Sequence, residues 1–126
     1  MERIFLILGA LLGASGVAAG AFGAHALKTW LSSELTAAFE TGVGYQLLHA
    51  LALLAVAWAA TRWPSTAVIA SGWCFFVGTV AFSGSLYLLA LTGTRWMGAI
   101  TPFGGLFFIA GWLLLAWGVR STAPRR

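Results

Sequence analysis

The chain has 126 residues, of which 60% are hydrophobic and 8% are charged, and its formal net charge is +4. Seven bases and three acids are too few for the polar surface of a soluble domain of this size, so the composition excludes that class. The bases stand at the ends of apolar blocks, without the basic stripe of a nucleic-acid-binding protein. The sequence therefore predicts an all-α membrane protein whose partner is the lipid bilayer and not a nucleic acid.

Four apolar blocks predict four membrane spans, over residues 4–24, 41–61, 66–91 and 101–119. A helix of roughly 20 residues rises far enough to cross the hydrocarbon core of a bilayer. Runs such as LLHALALLAVAWAA are continuously apolar and lack the alternation of a membrane β-strand. We therefore expect a four-transmembrane-helix bundle that forms a single domain over residues 1–126.

The segment 25–40, between the first two spans, has a mixed composition. Its apolar residues recur at helical spacing among polar ones, which predicts a short amphipathic helix lying in the membrane interface. Ser32 or Ser33 is expected to cap the second part of this segment. Before the fourth span, Pro102 suits the first turn of a helix and Thr101 is expected to cap it.

The distribution of bases predicts an orientation. An even number of spans places both termini on one side, together with the turn at 62–65. Lys28 and Arg95 lie on the other side, near Trp30 and Trp96, which are expected to line that interface. The positive-inside rule then predicts cytoplasmic termini. The bases on the terminal side are Arg3, Arg62, Arg120, Arg125 and Arg126.

Two sets of glycines predict close helix contacts, because glycine lets a second backbone approach within lipid. The set in the first span has spacings of 4, 3, 4 and 3 residues and occupies one helix face. We expect it to pack against a neighbouring helix of the bundle, with a homo-oligomer interface as the alternative. The two sets are Gly9, Gly13, Gly16, Gly20 and Gly23, and, at heptad spacing in the fourth span, Gly104, Gly111 and Gly118.

Polar residues inside the spans are informative because burying them unpaired is expensive. The second and third spans each carry a polar face, and the two faces reach a similar depth if these helices are antiparallel neighbours. We expect one polar cluster, with a ligand-binding or a structural role, in the outer half of the bundle. Its candidate members are His25, Glu40, Tyr45, Gln46, His49, Thr79, Ser83, Ser85, Tyr87 and Thr101.

His49 has two interpretations. It is either a packed histidine, hydrogen-bonded to Tyr45, to Ser83 or to a backbone carbonyl, or a proton relay or ligand-binding residue. Glu40 is likewise either solvated or paired with His25 or Lys28.

Metal, cofactor and catalytic sites are not expected. The two histidines differ in depth, and no further His or Cys completes a coordination set. The single cysteine, Cys74, rules out an intrachain disulfide and is expected to be an inert packed thiol. The sequence FSGSLY around Ser83 and Ser85 lacks the context of a hydrolase nucleophile, and no Ser–His–Asp set is apparent.

Four ordered motifs carry a resemblance to a known family. They are GAFGAHALK (20–28), FETGVGYQLLHALALL (39–54), FSGSLYLLALTG (82–93) and ITPFGGLFFIAGW (100–112). Together they resemble the small membrane proteins of domain-of-unknown-function family 423, also called uncharacterised protein family 0382, which includes the transmembrane protein 256-like proteins. The resemblance covers nearly the whole chain and implies a four-span protein of the bacterial inner membrane. It supplies no catalytic residues.

Two hypotheses about function follow. The first is a non-enzymatic accessory, assembly or scaffold component of the membrane, which forms a homo-oligomer or binds another membrane protein. The second is a small transporter, or a binder of a lipid, a quinone or another small molecule, that uses the polar cluster.

Overall fold

The computed structural model describes residues 1–125, and within them the chain forms helices and no strands. The prediction of an all-α protein with four membrane-spanning helices is confirmed, because four helical stretches of 27 to 30 residues are long and apolar enough to cross a bilayer. In chain order the elements are helix α1 (Glu2–Phe22), a π-helical turn (Gly23–Leu27), the short helix α2 (Lys28–Trp30), α3 (Ser33–Arg62), α4 (Thr66–Thr92), a 3-10 turn (Arg95–Ala99) and α5 (Thr101–Ser121).

The segment 25–40 is not the separate amphipathic helix that we predicted. Its first part continues the helix of the first span, and its second part forms the first turns of α3. The chain reverses only at Leu31, which is extended (φ −105°, ψ 154°), and at Ser32, whose hydroxyl accepts a 3.3 Å hydrogen bond from the N–H of Leu35. No glycine or proline interrupts SELTAAFE, so the helix extends beyond the apolar run. Polarity here marks the membrane interface and not a helix end.

The other helix ends follow from local sequence. Ser65 caps α4 by accepting a 3.2 Å hydrogen bond from the N–H of Val68. Gly93 ends α4 with φ 68°, a left-handed conformation that favours glycine. Pro102 lies in the first turn of α5 as predicted. The predicted cap at Thr101 is wrong, because α5 follows directly from the 3-10 turn and has no side-chain cap.

The helices form a central pair and two outer helices. α3 packs against both α1 and α4, and α4 packs against both α3 and α5. Side chains from several helices meet in a core that includes Phe5, Leu53, Val56 and Phe75, none of which is exposed. We call α3 and α4 the central pair, and α1 and α5 the outer helices.

The predicted glycine face of α1 packs against α3 of the same chain. A Cβ on Gly9 would lie 2.9 Å from the carbonyl oxygen of Ala50, so the two backbones are close there. A Cβ on Gly16 would lie 2.7 Å from the Leu47 side chain, whereas Gly13 has room, with its nearest neighbour, Ala50 Cβ, at 4.0 Å. The two remaining glycines of this face, Gly20 and Gly23, lie against Val43 and Phe39 of α3.

The glycines of α5 face α4. A Cβ on Gly104 would lie 2.5 Å from the backbone nitrogen of Phe82 and 2.7 Å from its Cα, so the two backbones are in contact. Gly111 and Gly118 lie against Phe75 and Val68 of α4. Three further glycines, outside the two predicted packing sets, each lie against an aromatic ring: Gly42 against Tyr87, Gly72 against Phe5, and Gly78 against Phe108.

Candidate functional site

Gln46 connects three helices through its side chain. It lies buried on α3, and its amide Nε2 donates to the carbonyl oxygen of Leu12 (2.9 Å) and to the hydroxyl of Ser15 (2.9 Å), both on α1. Its Oε1 accepts a 2.6 Å hydrogen bond from the hydroxyl of Tyr87 on α4. A side-chain amide can do this because it has donors at one end and an acceptor at the other. Gln46 thereby joins the central pair to an outer helix.

Ser83 makes a second connection within the central pair. Its hydroxyl donates to the carbonyl oxygen of Gly42 on α3 at 2.6 Å, and it is 1% exposed. Thr79 forms no such connection, because its hydroxyl donates back to the carbonyl of Phe75 on its own helix at 2.8 Å. Neither hydroxyl is hydrogen-bonded to His49, although the sequence placed all three side chains in one cluster.

Both ring nitrogens of His49 have partners. Nδ1 lies 2.8 Å from the carbonyl oxygen of Tyr45, and Nε2 lies 3.3 Å from the indole Nε1 of Trp112 on α5. An indole nitrogen can only donate, so Nε2 accepts, and Nδ1 carries the proton that it donates to the carbonyl. This pattern assigns the neutral imidazole, with one tautomer fixed by its two neighbours.

Aromatic rings enclose the same imidazole. It stacks on Phe108 with 3.6 Å between ring centroids and 8° between planes, and Phe75 lies at 5.4 Å. The ring of Tyr45 is parallel to it at 6.2 Å, but Tyr45 is 43% exposed and contributes its backbone carbonyl to the hydrogen bond. His49 is 2% exposed, so the interpretation as a packed, hydrogen-bonded histidine fits this geometry.

Ser85 and Thr101 join α4 to α5. Their hydroxyl oxygens lie 2.6 Å apart, and the Ser85 hydroxyl donates to the carbonyl of Phe82 at 2.8 Å. Thr101 is then the donor to Ser85. Thr101 is the first residue of α5, and this pair is not hydrogen-bonded to the groups around Gln46 and His49.

His25 and Glu40 lie outside these groups, and both are exposed. Within residues 1–125 the ion pair found is between the N-terminal amine and Glu2, so neither His25 nor Lys28 pairs with Glu40. The geometry therefore fits a solvated Glu40.

The predicted polar cluster thus divides into separate interhelical connections. Across residues 1–125, every buried polar side-chain atom has a hydrogen-bond partner. The same residues contain no group of three His, Cys, Asp or Glu side chains that could hold a metal ion. Cys74 is half-buried on α4. The arrangement is suited to fixing helices relative to one another.

Sequence reasoning missed three participants in these connections: Trp112, Ser15 and the carbonyl of Leu12. One signal for Trp112 was present. It lies near the middle of α5, whereas membrane tryptophans concentrate at the interfaces. A tryptophan at that depth needs an acceptor for its N–H, which His49 supplies. Ser15 was also visible as a polar residue inside the first predicted span. Leu12 gave no such signal, because it takes part through a backbone carbonyl, which has no sequence signature.

Comparison with known proteins gives a consistent result. A family described as "Protein of unknown function (DUF423)" matches residues 19–105. The chain is 50% identical over 113 residues to the UPF0382 membrane protein SH2409 of Staphylococcus haemolyticus, covering 90% of this chain and 92% of the relative. It is 42% identical to UPF0382 membrane protein YwdK of Bacillus subtilis, covering 90% and 93%.

A third relative is named for its location. The UPF0382 inner membrane protein YgdD of Escherichia coli K12 is 43% identical over 117 residues, covering 93% of this chain and 89% of the relative. No solved structure matches the chain. Three of the four motifs that carried the resemblance lie within residues 19–105, and the fourth, 100–112, overlaps the end of that region.

Proposed function

This chain belongs to the DUF423 family, whose relatives are named UPF0382 membrane proteins, and we propose that it is a non-enzymatic accessory, assembly or scaffold component of the cytoplasmic membrane. The relative from Escherichia coli, named an inner membrane protein, supports that location.

The proposal rests on the hydrogen bonds that the polar side chains form within the spans. Gln46, His49 and Ser83 are buried, and each uses its polar atoms in hydrogen bonds to other helices or to backbone carbonyls. Such groups fix helix positions in lipid. A reactive or transporting site needs donors and acceptors that a substrate can reach. The second hypothesis, a transporter or a lipid or quinone binder acting through this cluster, receives no specific support from this packing.

Surfaces for association remain on the outer helices. On α1, Leu11 and Val17 are 62% and 64% exposed, and on α5, Leu113 and Trp117 are 67% and 63% exposed. These side chains contact lipid or another transmembrane helix. They supply the contact surface that an assembly component needs, either for a second copy or for a different membrane protein.

The test is the size of the particle extracted from native membranes. We expect extraction in a mild detergent or a lipid-preserving polymer to yield a complex larger than the 13.3 kDa chain. Ala14→Trp and Leu113→Trp place a bulky ring on the exposed faces of α1 and α5, and the variant that dissociates the complex identifies the interface. A strictly monomeric, partnerless wild-type protein would overturn the proposal.

Replacing His49 separates structural from chemical use of the cluster. His49→Ala removes a buried ring and leaves the Trp112 N–H unpaired, so we expect about 3 kcal/mol loss in unfolding free energy, with about 2 kcal/mol for His49→Gln. Unfolding in mixed detergent micelles measures both. Full stability in both variants, combined with loss of a cellular phenotype, would favour the transporter or binder.

We also propose that both termini are cytoplasmic. Three bases of the terminal set, Arg3, Arg62 and Arg120, lie at the end of the bundle that carries the termini. Lys28 and Arg95 lie at the other end. Arg126, which also belongs to the terminal set, lies outside the described residues. This asymmetry supports the orientation. A green fluorescent protein fused to the C-terminus is expected to fluoresce and an alkaline phosphatase fusion to be inactive. The reverse pattern would contradict the proposal.

A further inference from the structure

A surface cavity with a charged rim lies at the membrane interface opposite the termini. It has a volume of about 360 Å³ and forms where the first turns of α3 meet the end of α4 and the 3-10 turn. Glu34 and Arg95 both line it. Trp30 and Trp96, next to the same helix ends, are 71% and 67% exposed, as expected of interfacial tryptophans.

The two charges of this rim are available to a ligand. Glu34 and Arg95 are exposed, and in the described part of the chain neither forms an ion pair within 4 Å. One carboxylate and one guanidinium therefore face the same cavity without neutralising each other directly. A ligand that carries both an anion and a cation would satisfy both charges.

Ser32 and Gly93 also line the cavity, and the part of the wall farther along the helices is apolar. Leu35, Ala38 and Leu89 line the cavity beside the charges. Ala38 lies five residues into α3, and Leu89 lies three residues before the end of α4, so this wall extends about one helical turn toward the membrane interior. The cavity thus has a charged rim at the interface and an apolar wall below it, which is the polarity profile of a phospholipid.

We propose that this cavity binds an aminophospholipid of the phosphatidylethanolamine type. The Arg95 guanidinium donates to the phosphodiester, the Glu34 carboxylate accepts from the primary ammonium, and the acyl chains lie along Leu35 and Leu89. Arginine is suited to phosphate because its fork of N–H groups matches the phosphate oxygens. A phosphatidylglycerol headgroup offers Glu34 no cation, and a choline headgroup offers it no N–H donor. This site is separate from the polar side chains on which the proposed function depends.

The experiment measures lipid binding to the purified full-length protein in mild detergent. Short-chain phosphatidylethanolamine, phosphatidylglycerol and phosphatidylcholine are titrated, with native mass spectrometry as the readout. We expect phosphatidylethanolamine to bind about tenfold more tightly than the other two, the effect of one charge-assisted hydrogen bond. Equal affinity for all three lipids would overturn the proposal and indicate nonspecific boundary lipid.

Two variants test the assigned contacts. Arg95→Gln is expected to weaken phosphatidylethanolamine binding about tenfold. Glu34→Gln is expected to weaken the binding of phosphatidylethanolamine and to strengthen that of phosphatidylglycerol, so the preference for phosphatidylethanolamine should be lost. The matched controls, Arg120→Gln and Glu40→Gln, change exposed charges that do not line the cavity and should leave the preference intact. The assignment fails if the site variants behave like these controls.

A competition experiment separates the lipid from its soluble headgroup. Glycerophosphoethanolamine carries the same charges without acyl chains, so it cannot use the Leu35 and Leu89 wall. We expect it to displace the lipid only at much higher concentration. If glycerophosphoethanolamine displaces the lipid as effectively as the intact phospholipid does, the proposal that the ligand is a membrane lipid is overturned. Because Glu34 and Arg95 are exposed, their variants should keep the helical circular dichroism and melting temperature of the wild type.

Discussion

The central pair and the outer helices are held by different interactions. In the most apolar stretch of α3, 56% is buried inside the protein, whereas only 17% is buried in the corresponding stretch of each outer helix. The buried polar side chains of residues 1–125 all lie on the central pair, and they include Gln46, Ser83 and Thr79. The outer helices approach through glycine, at Gly9 on α1 and Gly104 on α5.

This difference follows from the solvent. Lipid is as apolar as leucine, so burial of apolar surface does little to hold one transmembrane helix against another. The central helices are positioned by hydrogen bonds, such as Ser83 to Gly42, whose loss would leave polar atoms in an apolar medium. The outer helices are positioned by close backbone contact, with added polar connections from Gln46 to α1 and from Trp112 and Thr101 of α5 to the central pair.

The largest effect is expected where two backbones touch. In Gly104→Ala the added Cβ would lie 2.5 Å from the backbone nitrogen of Phe82, and no side-chain rotation can relieve that clash. We expect a loss of about 3 kcal/mol in unfolding free energy. The matched control is Gly105→Ala, where the nearest atoms, in the Phe82 ring, lie 4.0 Å away. Similar stability of the two variants in detergent unfolding would contradict backbone contact as the basis of the α4–α5 interface.

A smaller effect is expected at the other outer helix. Gly9→Ala would bring a Cβ within 2.9 Å of the Ala50 carbonyl and 2.8 Å of the movable Leu54 side chain, so we expect a loss of about 2 kcal/mol. Gly13→Ala is the control, because its nearest neighbour lies 4.0 Å away. It should be neutral or slightly stabilising, since alanine favours the helix. If Gly13→Ala is as destabilising as Gly9→Ala, the α1–α3 packing described above is wrong.

The smallest effect is expected for one polar connection taken alone. A double-mutant cycle of Gln46→Leu and Tyr87→Phe should give a coupling energy of about 1 kcal/mol, typical of hydrogen bonds between membrane helices. The two side chains are 2.6 Å apart between Oε1 and the hydroxyl oxygen. Gln46→Leu alone should cost more, because it also removes the amide donor to the Leu12 carbonyl and to the Ser15 hydroxyl. If the stability losses of the two single variants add up to the loss of the double variant, the hydrogen bond between Gln46 and Tyr87 contributes nothing to stability.

Much of the architecture was predictable because membrane spans have a strong composition signal. The four spans and the family resemblance were predicted correctly. The helix boundaries around 25–40 were not, since a helix does not stop where its residues become polar unless a breaker is present. Ser32 was the effective signal, and the cap it forms was predicted as one of two choices.

The candidate site was predictable in its members more than in its connections. Gln46, His49 and Ser83 are buried polar residues as expected. Their partners were not predictable, because Gln46 binds a backbone carbonyl on α1 and His49 binds Trp112 on α5, a helix that the predicted cluster included only at Thr101. Spacing within one helix reports which residues share a face. It does not report the rotation of the neighbouring helix, which decides the partners.

The π-helical turn at Gly23–Leu27 has a consequence for comparing family members. A π-helical turn amounts to one extra residue accommodated inside an α-helix, so the helix would remain regular if that residue were deleted. Such a deletion would leave Trp30 and the Leu31–Ser32 reversal close to their present directions, whereas a deletion inside a regular α-helical span would rotate everything beyond it by about 100°. Relatives that differ in length by one residue are therefore expected to differ at 23–27, and an alignment gap belongs there before it belongs in any of the spans.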